Sequence, residues 1–151
     1  MQGSVVNVKT TVDKAKSESK ELKLQIALVE DLLRYSGENG VRFHPMVVRS
    51  LAGPAGDGSK SPSAEGFAVD ASKPTTVEHT FDLAKITAEL KAHLDDYEIN
   101  GRHGKITFSE KKHTMDSNSL SVVAFVQDEK SKQILQAAYI KLKPGTSVAS
   151  N

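Results

Sequence analysis

Five histidines, at positions 44, 79, 93, 103 and 113, are the side chains best suited to acid–base or metal chemistry near neutral pH. None lies two or four residues from another histidine or from a cysteine, the spacings that put two ligands on one face of a strand or a helix. A metal site would require His103 and His113 to meet across a hairpin built on residues 105 to 110, with Asp116 as third ligand. Exposed or capping roles are the default for these histidines. The acidic pairs Glu30-Asp31 and Asp95-Asp96 do not make a paired-carboxylate site by adjacency. Neighbours on a strand point to opposite faces, and on a helix they diverge by about 100°, whereas such chemistry needs two carboxyls converging on one bond.

Two further motifs fall short. Gly53-Pro-Ala-Gly-Asp-Gly-Ser-Lys60-Ser61 resembles a phosphate-binding loop, but Ser59 separates Gly58 from Lys60. In a working loop the lysine follows the glycine directly and a helix follows the lysine; here Ser61-Pro62 follows. No Gly-x-Ser-x-Gly elbow marks a nucleophile among the serines. Catalysis has no specific signature, and no cofactor is expected.

Composition narrows the classes further. The chain has 151 residues, which fits one domain, spanning residues 1–151. A domain of this size buries about 68–70% of its unfolded surface and needs no metal or disulfide staple. Twenty basic and nineteen acidic residues are scattered, for a net charge of +1. That balance argues against nucleic acid or an anionic membrane as principal partner. No apolar run is long enough for a transmembrane span. With no cysteine, thiol catalysis and thiolate metal sites are excluded. Three tyrosines, five phenylalanines and no tryptophan leave few platforms for sugars or single strands.

The elements that would position any site read as mainly β. Residues 120 to 142 are the clearest: two apolar strands joined by the polar turn Asp128-Glu-Lys-Ser131. Leu120, Val122, Ala124 and Val126 lie on one face of the first strand and Ser121, Val123, Phe125 and Gln127 on the other. Both faces are largely apolar, so the strand should be central or covered on both sides. A helix competes over 132–142, but the Pro144-Gly145 stop favours strand. Val5 to Val12 alternates as a half-buried strand. Leu22 to Leu28 alternates cleanly, although Leu22, Ile26, Val29 and Leu33 also fit helical spacing. These two segments are expected to form a hairpin. Val41 to Leu51 is extended, with Pro45 excluding it from an uninterrupted central strand. Residues 53–66, with four glycines and two prolines, read as a flexible loop, and 145–151 as a disordered tail, leaving an ordered core of about 5–142. Thr75 to Leu83 alternates again. Ile86, Leu90, Leu94 and Tyr97 place one apolar stripe on a helix of about residues 84–97, ended by Asn100-Gly101. Ile106 and Phe108 are expected in a short strand.

The strings LSVVAFVQDEKSKQILQAA in the 120–142 region and VEDLLRYSGENGVRFHPMVVRSLAG from Val29 carry a resemblance. They are similar to the carboxy-terminal β-rich region of a bacterial family of secreted or outer-membrane-associated proteins, often lipoproteins. In that family a thioredoxin-like domain precedes an immunoglobulin-like module. The similarity runs from about Val5 to Leu142. Its most specific pieces are Ala124 to Asp128, Gln136-Ala137 and the segment holding His44, Val48 and Arg49. The resemblance implies an immunoglobulin-like antiparallel β-sandwich with one crossover helix, an extracytoplasmic location, and a chain that is an excised piece starting at Met1-Gln2-Gly3. It also implies a thioredoxin-like domain or another protein as partner. Because the chain has no cysteine pair, no redox role transfers to a residue here.

The expectation is thus a non-catalytic accessory or interaction domain of a larger protein. The rival readings are a metal-dependent or hydrolytic site built from scattered histidines and carboxylates, and a carbohydrate-binding module.

Overall fold

A computed structural model describes residues 5–15, 17–36, 40–54, 66–102 and 104–143. The fold is mainly β and antiparallel, with one helix. Among the described residues seven strands form two sheets: β1 (Val5–Val12), β2 (Leu22–Arg34), β3 (Phe43–Ala52), β4 (Phe67–Ala68), β5 (Thr75–Asp82), β6 (Leu120–Asp128) and β7 (Ile134–Lys141). The helix α1 (Leu83–Asn100) follows β5 directly. The larger sheet has the order β3-β2-β6-β7, with the short β4 also paired to β2, and the smaller sheet is β1-β5.

The sheets face each other across one core. Leu22, Leu24, Ile26 and Leu28 of β2 and Val122, Ala124 and Val126 of β6 form its floor, and Phe81 and Ile86 enter from the other layer. Val6, Val8 and Val12 of β1 and Val77 of β5 complete it. The period-two pattern of each strand therefore decides which side chains meet.

The hairpin of residues 120–142 forms as the sequence dictates. Asp128 organises its turn: its carboxylate accepts from the amides of Lys130 (2.9 Å) and Ser131 (3.3 Å). Lys132 completes the turn with φ of 61°. Pro45 lies in β3, an edge strand of the larger sheet, where its missing donor costs no ladder bond. Gly40 takes the positive φ suited to it, 75°. Asp82 caps α1 by accepting from the amides of Ala84 and Lys85, both at 3.0 Å.

Four expectations are corrected. The hairpin between residues 5–12 and 22–28 does not form: β1 pairs with β5, Val5 opposite Asp82 and Val12 opposite Thr75. The burial patterns give the reason. β1 alternates between exposed and half-buried, while nearly every residue from Leu22 to Glu30 is buried. A strand buried on both faces belongs in the middle of a sheet, between β3 and β6. β2 is also longer than the alternation suggested, reaching Arg34, and α1 outruns its expected span at both ends.

Ile106 and Phe108 form no strand. Their backbone donors go to the end of α1 instead: Ile106 N–H to the Glu98 carbonyl (3.0 Å) and Phe108 N–H to Glu98 Oε1 (2.8 Å). Most of the 53–66 loop, at 55–65, and the 145–151 tail lie outside the described residues.

Candidate functional site: the outer face of the larger sheet

Pairing and alternation fix what the larger sheet presents on the side away from the core. Ala27 of β2 stands between Leu51 of β3 and Val123 of β6, and Val29 stands between Val48 and Ser121. Phe125 faces Ala137 and Val123 faces Tyr139 of β7. The middle of this outer face is apolar across four strands, with Gln25, Lys23 and Gln127 toward one end. Val48 and Tyr139 are each 52% exposed at its two sides, while Ala27 and Val29 between them are each 3% exposed. α1 packs on β1 and β5, not here, and among the described residues no strand or helix is stacked on this face.

A polar cluster lies at the other end of this face. Ser121, fully buried, donates through Oγ to Asp31 Oδ1 at 2.5 Å and lies 2.9 Å from Tyr139 Oη. The Tyr139 hydroxyl donates to the same Asp31 oxygen at 3.3 Å. Lys141 Nζ closes the group, 2.5 Å from Asp31 Oδ2. The hydrogen bond from Lys141, followed by that from Ser121, lowers the Asp31 pKa against the opposing effect of burial. Asp31 in turn raises that of Lys141.

These directions decide the chemistry available. Serine, tyrosine and lysine together suggest an activated nucleophile, which needs an accessible hydroxyl and a base that titrates near neutrality. Ser121 is inaccessible, Asp31 is held as a carboxylate and Lys141 as an ammonium. The arrangement neutralises its own charge and fixes the Tyr139 ring on the sheet. It builds a surface, not a nucleophile.

The second cluster lies on the inner face. At the bulge between Leu28 and Val29, Leu28 faces Ser50 and Val29 faces Val48, leaving Arg49 as the extra residue. Its side chain turns inward to Glu30, with Nε 3.1 Å from Oε2. The N–H is not aligned for a hydrogen bond, so the contact is one of charge. Arg49 Nη2 donates to the carbonyls of Lys112 (2.9 Å) and Thr114 (2.7 Å), and Glu30 Oε1 accepts from Asp116 N–H (3.3 Å). The pair therefore pins the irregular segment before β6.

The adjacent acids Glu30 and Asp31 thus diverge as strand geometry requires, one into the core end and one onto the outer face. Spacing alone did not mark Ser121, Tyr139, Lys141 or Arg49 as partners of these acids. The available signal was a charge inside an otherwise apolar strand, which demands a countercharge somewhere.

The metal candidates are placed differently. His103 lies outside the described residues. His113 Nδ1 is 3.1 Å from the Lys111 carbonyl. Asp116 caps the short turn Ser117–Ser119 by accepting from Asn118 N–H at 2.9 Å. The strand over 105–110 that would have joined the two histidines is absent. Among the described residues no three histidine or carboxylate side chains gather as metal ligands, and no helix is long and apolar enough to cross a membrane.

Protein-family models, curated proteins and solved structures offer no match to this chain.

Proposed function

We propose that this chain is a non-catalytic interaction domain of a larger extracytoplasmic protein, an immunoglobulin-like sandwich whose outer sheet face packs against an adjoining domain. The observation that carries the reading is an apolar face on which no strand or helix is stacked among the described residues, with Val48 and Tyr139 half exposed at its sides. The ion pair it carries among the described residues, Asp31 with Lys141, is already neutralised within the chain. The complementary surface is therefore apolar, with a hydrogen-bonding group near Tyr139 and no required countercharge. The similarity of residues 120–142 to a module preceded by a thioredoxin-like domain supplies the occupant.

The test is reconstitution with a thioredoxin-like domain encoded next to this chain, followed by titration calorimetry and thermal denaturation. Association that raises the melting temperature of either partner, and that weakens in Val48→Lys, supports the reading. Two domains that neither bind nor alter each other's stability would sink it.

A further inference from the structure

The two edges of the larger sheet are treated differently. On the β3 edge, Pro45 removes a donor, Met46 has φ of 54°, and Arg49 forms a bulge. These are devices by which proteins keep a sheet edge from recruiting further strands. The opposite edge, β7, has none of them over its paired length from Gln136 to Lys141; its register shift lies at the start, beside Ile134. Every residue of β7 is exposed, its sequence is ILQAAYIK, and its one charge sits at the end of the strand. Among the described residues it pairs with β6 alone.

The sandwich also gapes on that side. A cleft of about 270 Å³ opens between β7 and β1, lined by Val6, Val8, Val122, Ala124, Ala138 and Ile140. An edge with unpaired backbone groups thus borders an unfilled apolar cleft.

We propose that β7 is a self-recognition edge: two copies of this chain pair antiparallel through β7 and join their five-stranded sheets into one. The strand's own composition favours a second copy as occupant. A two-fold axis near the middle of β7 sets the two Lys141 side chains at opposite ends of the ladder, so no like charges oppose each other. Small residues, Ala137 and Ala138, lie near the axis, where two strands approach most closely. The inward-facing side chains of the incoming strand cover the mouth of the cleft. The contact is limited to one strand, less than the roughly 800 Å² per partner of a standard interface, so the dimer is reversible, with Kd on the order of 10–100 µM. This edge borders the outer face assigned to the adjoining domain, since Ala137 and Tyr139 lie on both, but self-association of one chain and binding of a second protein are measured separately.

Sedimentation velocity of the full chain from about 1 µM to about 1 mM tests it, a range that spans a weak dimer. Ala137 points outward opposite Phe125, so a charge there leaves the core untouched. Ala137→Lys and Ala137→Glu should each weaken self-association at least about tenfold, and an equimolar mixture of the two should restore it. Amide exchange at 134–141 should slow as concentration rises in the parent chain. Circular dichroism establishes that both variants are folded. A chain that stays monomeric throughout, or a dimer that persists unchanged in both charge variants, overturns the proposal. So does protection of β7 that depends on a different protein and not on concentration.

Discussion

Arg49 and Glu30 face each other from adjacent strands with Nε 3.1 Å from Oε2, both side chains about 95% buried. The guanidinium also holds the carbonyls of Lys112 and Thr114. Removing one partner leaves a buried charge without its countercharge, so Arg49→Met is expected to lower unfolding free energy by about 3–5 kcal/mol. Restoring neutrality with Glu30→Leu in the same chain should recover most of that loss, because well-packed apolar residues replace buried ion pairs at little net cost. Chemical denaturation of the two single variants and the double variant measures both terms. A double variant no more stable than Arg49→Met would show that the carbonyl contacts, not the charge pair, dominate.

The outer cluster makes a contrasting prediction. Asp31→Ala removes the charged acceptor shared by Ser121, Tyr139 and Lys141 and leaves only the 2.9 Å contact between Ser121 and Tyr139, for an expected loss of about 1–3 kcal/mol. Ser121→Ala should cost less, since it removes one donor while Asp31 keeps Tyr139 and Lys141. Chemical denaturation should rank the parent above Ser121→Ala and Ser121→Ala above Asp31→Ala.

How much of this was legible beforehand depends on the range over which each feature is set. The β6–β7 hairpin is local: alternation, a turn of polar residues and a downstream Pro-Gly specify it within about twenty residues. The helix stripe and Pro45 at an edge are local in the same sense. The partner of β1 is not. Val5 to Val12 has the same period as both β2 and β5, and only the demand of β2 for burial on both faces excludes it from the larger sheet. The sites depend on register across strands far apart in sequence. Asp31, Ser121 and Tyr139 become neighbours only once β2, β6 and β7 are aligned, and the bulge that aims Arg49 inward leaves no mark in composition. The histidines misled in the opposite direction, because residue type suggested chemistry that the backbone at 105–110 does not assemble.

Gly66 is a position where a single methyl group decides the outcome. Its φ is +67°, and a Cβ there would lie 2.9 Å from the Leu24 carbonyl oxygen and closer still to the Gln25 side chain. Gln25 can shift; the β2 backbone cannot without disturbing the central strand. Gly66→Ala is therefore expected to destabilise by more than about 1 kcal/mol, combining conformational strain with the clash. Gly40→Ala is the control. Its φ is also positive, +75°, but nothing lies within 4 Å of the added group, so only strain remains. Thermal denaturation should rank the parent above Gly40→Ala and Gly40→Ala above Gly66→Ala.

The remaining prediction concerns pH. His79 lies opposite Val8, its ring 4.6 Å from that of Phe81 in an edge-on contact, and burial lowers its pKa below the ordinary 6.5. The unfolded chain therefore takes up a proton at this residue at a higher pH than the folded chain does. Between the two values the unfolded state binds more protons, and stability falls as pH falls. The contribution of neutral His79 is intact above pH 6.5 and declines below it, until the folded ring also protonates. His79→Leu removes the titrating group while keeping an apolar side chain on the face shared by the two sheets. Melting temperatures of the parent chain should drop between pH 7 and pH 5, and the drop should be smaller in the variant. Equal slopes for the two proteins would place the acid sensitivity between pH 7 and pH 5 at a group other than His79.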